Sequence, residues 1–342
     1  MNHSDAKLSI CIPTYNRAKL LGQTLDNIIR EATPGLEIVV SDNASTDETC
    51  ELVNSYRRKY PRITYLKQPT NIGQEPNYLE VVKAAQGEYC WLMGDDDQIV
   101  PGGIKYILDN YLNKTRHIDF LLLTLFEYDE TLTYVRNIHA NHLGKTEDIY
   151  TNNVKGFLAE FFCSSYLSTY IVNRKKWLRV DARKYLNLGV IYQCIVYDYL
   201  AREDSYVQYV AKPVVKYRSG NATWRKDTLE LQLAKIPEAL SLLPEGYDPV
   251  KQYARERYFR LMPVTLKMLV SLRADGAYDR RQYDDIICPY LRESRIKRVL
   301  AGIIVRIPVN LAVALRYVYK LLKPSNWSKR GHVCLLEITF FG

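Results

Sequence analysis

The first 126 residues alternate short β-branched runs with longer stretches of helical period, and few architectures accept that rhythm. Leu8–Ile12 reads as a strand and leads into a helix through Leu20, Leu21, Leu25, Ile28 and Ile29. Glu37–Ser41 is a second strand, followed by a helix through Cys50, Leu52, Val53 and Tyr56. Ile63–Leu66, Tyr89–Met93 and Asp119–Phe126 read as further strands. Between them lie helices over Pro76–Ala85, with proline where a missing N–H costs little, and over Gly103–Tyr111. Such alternation predicts an α/β fold with a mainly parallel sheet flanked by helices. In sheets of this kind ligands bind beyond the carboxyl ends of the strands.

Those ends carry the polar residues. Pro13-Thr-Tyr-Asn-Arg17 follows the first strand, Asp42-Asn-Ala-Ser-Thr-Asp47 the second, Asn71-Ile-Gly73 the third and Gly94-Asp-Asp-Asp97 the fourth. Taken singly each is an ordinary turn or cap; Ser45 or Thr46, for instance, suits the start of the second helix. Together, on one edge of one sheet, they predict a site. The run Asp95, Asp96, Asp97 is the sharpest of the four. Adjacent carboxylates repel unless they are solvated or hold a cation, and alternate residues at a strand end can aim two of them the same way. That suits Mg²⁺ or Mn²⁺ with diphosphate oxygens, where the ion would neutralise a departing nucleoside diphosphate.

Composition narrows the function classes. Nearly half of the 342 residues are hydrophobic, enough for a substantial core. The net charge of +9 is concentrated late, because Arg292–Arg330 contains Glu293 as its only acid. A basic balance suits nucleic acid, an anionic membrane or a phosphorylated ligand, but no nucleic-acid recognition module is present. The seven cysteines are scattered, without zinc spacing, and point to a reducing compartment. Residues 1–7 lack the apolar core of a secretory signal, and no run of about 20 apolar residues predicts a spanning helix. The first strand is followed by no glycine-rich loop, which argues against the usual nicotinamide dehydrogenase and against a sugar-phosphate nucleotidyltransferase. A non-catalytic sugar-binding scaffold on the same fold is the alternative to an enzyme; the intact acidic triplet argues against it.

The ordered set Ile-Pro-Thr-Tyr-Asn-Arg, Val-Ser-Asp-Asn-Ala-Ser-Thr-Asp, Asn-Ile-Gly and Asp-Asp-Asp resembles the family 2 glycosyltransferases of GT-A fold, over about residues 7–125. Trp-Leu-Met-Gly-Asp-Asp-Asp also resembles the abequosyltransferase-like branch that builds bacterial O-antigens. The resemblance implies a metal-dependent, inverting transfer from a nucleoside-diphosphate sugar to a saccharide acceptor that is lipid-linked. It implies that Pro13, Thr14, Tyr15 and Arg17 line the nucleotide pocket and that Asp42, with Asn43 beside it, meets the base. Asn71 and Gly73 would lie by the ribose and phosphates. Asp95 would face the ribose or the ion, Asp96 would stand with it, and Asp97 would be the principal ligand to Mn²⁺ or Mg²⁺. Many relatives have aspartate where this chain has Gly94, so the division of labour among the three aspartates stays open. An inverting transferase needs a base for the acceptor hydroxyl, in this family an acid about 100 positions on, near the start of a helix. Asp198 in Gly189–Asp198 is the candidate. Tyr197 stands where the familiar Glu-Asp pair would begin, and Glu203 or Asp204 is the rival.

The remaining chain divides less sharply. Residues 1–225 are expected to form the catalytic domain, with nucleotide-sugar binding in 7–125 and an acceptor half in 126–225. Lys212–Trp224 is either a basic, aromatic loop for diphosphate and sugar or an ordinary strand and turn. Residues 226–342 read as helical: Leu229–Leu243, Val250–Ser271, Arg280–Leu291 and Val299–Lys323. In the last, Arg306, Arg316, Lys320 and Lys323 share one side of a helical wheel. That predicts either attachment to the inner face of the cell membrane or packing on the catalytic domain.

Overall fold

A computed structural model describes residues 6–139, 145–202, 204–220 and 226–322. Ten strands form one sheet: β1 (Leu8–Thr14), β2 (Leu36–Asp42), β3 (Ile63–Lys67), β4 (Tyr89–Leu92), β5 (Gln98–Ile99), β6 (Phe120–Tyr128), β7 (Val135–His139), β8 (Ile149–Thr151), β9 (Tyr170–Asn173) and β10 (Val207–Arg218). The order across it is β3-β2-β1-β4-β9-β6-β10-β5, with β7 on β6 and β8 on β10. β1 to β4 are parallel; β9 runs against both β4 and β6, so β6 and β10 share the direction of the first four. The sheet is thus mainly parallel, and every carboxyl end of the parallel strands opens on the same edge.

The sequence forms these strands because alternate residues bury on opposite faces. Leu8, Ile10 and Ile12 of β1 and Leu121, Leu123 and Leu125 of β6 meet Leu21, Leu25 and Ile28 of α1 (Ala18–Arg30), Val53 of α2 (Thr49–Lys59) and Ile104 and Ile107 of α4 (Gly103–Ile107). The other face, through Cys11, Val39, Phe120 and Leu122, meets Val81 and Val82 of α3 (Gln74–Ala84) and Phe157, Leu158 and Phe161 of α5 (Val154–Phe161). After the one-turn α6 (Arg174–Trp177), α7 (Ile191–Arg202) joins that core, buried from Ile191 to Leu200. Its burial on all sides explains why no amphipathic period marks it. None of the six described cysteines is paired.

The C-terminal helices are shorter than their periodicity suggests. α8 (Thr228–Glu230) passes through a π-helical turn into α9 (Ile236–Leu242), and α10 (Asp248–Leu261) and α11 (Leu266–Ala274) replace the single helix expected over Val250–Ser271. Pro263 stands in the break, where it lacks the N–H a continuous helix needs. α12 (Arg280–Gln282) and α13 (Cys288–Tyr290) flank another π-helical turn. The expected helix Val299–Lys323 is two, α14 (Arg295–Ile304) and α15 (Val309–Leu322), bent by 113° around Pro308. Leu269, Leu272, Tyr278, Ile287, Ala301 and Val305 form a separate small core here.

Candidate active site

The carboxyl edge brings the four polar clusters together. The Asn43 N–H donates to the Thr14 carbonyl (2.9 Å), and its side-chain amide donates to Asn71 Oδ1 (2.8 Å). Asn16, left-handed at φ 52°, donates its N–H to Ser45 Oγ and accepts from the Thr46 N–H. Gly73, at φ 92°, occupies a conformation that side-chain-bearing residues avoid and opens α3. Tyr15 remains exposed beside half-buried Pro13. Asp42 is wholly buried, taking the Ser45 N–H (2.8 Å) on one oxygen and the Tyr65 hydroxyl (2.7 Å) on the other.

The acidic triplet is at the centre. Thr14 Oγ1 donates to Asp95 (2.8 Å), and the Arg17 guanidinium spans Asp95 (3.0 Å) and Asp96 (2.6 Å). Thr24 of α1 holds the loop by donating to the carbonyls of Asp95 and Asp97. Asp97 is fixed from the far half of the chain. Ser168 Oγ donates to one carboxylate oxygen (2.5 Å) and the Arg218 N–H to the other (2.9 Å). The Arg218 guanidinium meanwhile ties the Asp96 carbonyl to Gln23 and to the Glu130 carbonyl. A Cβ on Gly94 would lie 3.0 Å from Asp96 and 3.1 Å from Asp97, so the residue replacing the family's first aspartate keeps the two carboxylates unobstructed. Burial first, and neighbouring Asp96 next, pushes the Asp97 carboxyl well above its usual range; burial does the same to Asp95 against the pull of Arg17.

A divalent ion fits this chemistry. The donors are hard oxygens, and Asp97 accepts one hydrogen bond on each oxygen, which leaves each a lone pair. The three carboxyls outnumber the two guanidiniums beside them, Arg17 and Arg218. Among the described residues no three acidic, His or Cys side chains converge on one point. The fit is therefore to an ion held by one or two carboxylates and completed by substrate phosphates, as Mg²⁺ commonly is.

The structure does not bring the candidate base to this cluster. Asp198 is two turns into α7, wholly buried, where it takes Tyr185 Oη (2.8 Å), Lys184 Nζ (2.9 Å) and the Arg202 guanidinium. Burial pushes its pKa up, but those three donors outweigh it and hold it low. A base so ionised and so enclosed is a structural ion-pair centre. Asp204 is exposed, and Glu203 with residues 221–224 lies outside the described residues. Sequence reading missed Ser168 and Thr24, single hydroxyls without a motif. It noted the segment of Arg218 without singling the residue out. It also missed Glu127 near the end of β6, opposite Tyr217 of β10; burial first, and then the charges of Asp97, Asp96 and Glu127, raise Tyr217.

Comparison with known proteins gives the same placement. The Glycosyl transferase family 2 pattern matches residues 9–181. Abequosyltransferase RfbV of Salmonella typhimurium is 32% identical over 232 residues, which are 64% of this chain and 68% of that protein. A Campylobacter jejuni protein named GalNAc(5)-diNAcBac-PP-undecaprenol beta-1,3-glucosyltransferase is 31% identical over 113 residues, 33% of this chain and 37% of its own length. In fold the chain is similar to S. aureus TarS 1-349, with a TM-score of 0.56 at 18% identity over 92% of this chain and 91% of that one.

Proposed function

The chain belongs to Glycosyl transferase family 2 and is a glycosyltransferase, and we propose that it moves a sugar from a nucleoside-diphosphate sugar to a lipid-linked saccharide acceptor, with inversion, in the synthesis of a bacterial surface polysaccharide. The observation that carries this reading is the triplet Asp95–Asp97, with Asp95 and Asp97 buried, held against Thr14 and Arg17 on one side and Ser168 and Arg218 on the other. Asp97, with Asp95 or Asp96, would hold Mn²⁺ or Mg²⁺. When bound, the ion supplies positive charge for the departing diphosphate. Pro13, Thr14, Tyr15, Arg17, Asn43, Asn71 and Gly73 would line the edge where the nucleotide lies, and Asp42 would meet the base. For the proton acceptor, Asp198 is the sequence candidate. Glu127 is a second candidate, since it lies near the carboxyl end of the parallel strand β6, on the site edge, and opposite Tyr217 of β10.

A lipid-linked acceptor is supported by the undecaprenol-linked acceptor in the name of the Campylobacter relative and by the C-terminal surface. Among the described residues no single helix is long and apolar enough to cross a membrane. α14 and α15 nevertheless expose Ile296, Val299, Ile303, Leu311, Leu315 and Tyr317, in a stretch, Arg295–Leu322, without one Asp or Glu. The expected basic stripe is altered: Arg316 turns inward onto Asp275 (2.5 Å), and the Lys320 side chain and Lys323 lie outside the described residues. Peripheral attachment to the inner membrane face would thus rest on apolar insertion, assisted by Arg295, Lys297, Arg298 and Arg306.

The test is calorimetry of nucleoside diphosphates with Mn²⁺, then transfer from a donor panel, with EDTA and Asp97→Asn as controls. Nucleotide binding that needs the ion, and transfer lost in both controls, is expected. Transfer persisting in EDTA with metal content verified as zero sinks the metal; nucleotide binding without any transfer leaves a scaffold.

A further inference from the structure

At the opposite edge of the sheet lies a cavity of about 610 Å³ that the transfer site does not use. Its floor is the amino end of β10, where Gln208 pairs with Tyr150 of β8 and Leu121 of β6. Ten residues of strand separate Gln208 from Arg218, roughly 30 Å at strand rise, so the two places are independent. The volume is in the range of small-ligand sites.

The lining has a definite chemistry. Gln208 is 2% exposed; its amide N–H donates to the Tyr209 carbonyl, while Oε1 has no partner among the described residues. A buried acceptor left unpaired costs about 1–3 kcal/mol, and a small turn of the Gln208 amide toward the cavity would let a ligand hydroxyl recover it. Asn110 offers a second amide on the exposed rim. Arg116 lies over the Tyr150 ring at 4.0 Å, which fixes its guanidinium plane and leaves its N–H edge for an anion. Lys114, also exposed, adds a second cation. The carboxylate on this wall, Asp148, accepts the Tyr111 hydroxyl (2.5 Å) and the Ala211 N–H (2.9 Å) and keeps its charge, so the two cations Arg116 and Lys114 outnumber it by one. Flat stacking of a nucleobase is disfavoured. Tyr150 carries Tyr206 stacked on it as well as Arg116, and Lys212 stands over Tyr106.

We propose that this cavity binds an acidic saccharide, with its phosphate or carboxylate on Arg116 and Lys114 and its hydroxyls on Gln208 and Asn110. The site would hold a charged sugar away from the chemistry. It goes beyond the transfer reading and does not depend on it.

The probe is glucose 1-phosphate, titrated into the full chain by calorimetry with Mn²⁺ and a saturating amount of whichever nucleoside diphosphate the screen with Mn²⁺ finds to bind, so that the transfer site is occupied. Binding with Kd on the order of 1 mM is expected. Glucose and inorganic phosphate, tried separately, should each bind at least about tenfold more weakly, about 1.4 kcal/mol. Arg116→Gln and Asn110→Ala, both on the exposed rim, should each weaken glucose 1-phosphate several-fold and leave transfer unchanged; Gln208→Leu should do so if it folds. Asp97→Asn should not alter it. Absence of binding, phosphate binding as tightly as the sugar phosphate, or full affinity in both rim variants would overturn the proposal. Loss of nucleotide binding with the cavity titration intact would count against the transfer reading alone.

Discussion

Replacing Asp198 by Asn separates a base from an ion-pair centre. The carboxylate serves three donors, and Asn keeps one acceptor oxygen. Lys184 and Arg202 are 43% and 54% exposed and can return to water. Tyr185 is fully buried and cannot. Losing one buried hydrogen bond costs about 1–2 kcal/mol, and two half-exposed pairs add about 0.5 kcal/mol each. Urea unfolding should therefore show a loss of about 2–3 kcal/mol, while kcat of the folded variant changes less than about tenfold. The pH dependence supplies a second readout. Asp198 is held below its ordinary pKa in the fold, so its contribution is present above the unfolded value of about 3.9 and is lost as pH falls through and below it. Stability of the parent should fall over that acid range, and the Asn variant should show a shallower fall. A kcat loss of about 100- to 10,000-fold at unchanged stability would refute this reasoning and return the base to Asp198.

Glu127→Gln should lower kcat by about two to four orders of magnitude with nucleotide affinity unchanged; a normal turnover rate removes it as proton acceptor. Ser168→Ala deletes the hydroxyl that orients Asp97 and should weaken Mn²⁺ binding about 10- to 100-fold, read by electron paramagnetic resonance titration. Unchanged affinity would mean the ion is held elsewhere. Ile296, Val299 and Ile303 replaced together by Ser should reduce flotation with anionic vesicles at high salt, where only apolar insertion persists. Equal flotation of parent and variant would detach the membrane reading from α14.

The parallel half of the fold was legible because its cause is local. Leu8–Ile12 and Glu37–Ser41 carry enough β-branched and apolar residues to be strands in any context, and the polar clusters at their ends lie next to them in sequence. The triplet Asp95–Asp97 was legible for the same reason. What holds Asp97 was not. Ser168 reaches it from 71 positions away and Arg218 from 121, and neither residue type announces such a partner. The ion-pair partners of Asp198 were not legible either, because nearness to a helix start in sequence says nothing of which side of a fully buried helix a carboxylate faces. The C-terminal helices were over-extended because hydrophobic period continues across Pro263 and Pro308 while backbone hydrogen bonding does not.

The antiparallel β9, inserted between β4 and β6, ties the two halves of the chain into one exchange unit. Ser168 sits just before it and Arg218 at the end of β10, so the orientation of Asp97, the proposed ion ligand, is set by the half that would receive the acceptor. Chimeras that join residues 1–125 of this protein to the second half of a relative would carry all three aspartates yet lose their alignment. They regain it only if a hydroxyl and a main-chain donor arrive at the same two places. Donor and acceptor preferences of such enzymes would then be inherited together, and a new acceptor specificity would arise more readily by substitution within the second half than by its replacement.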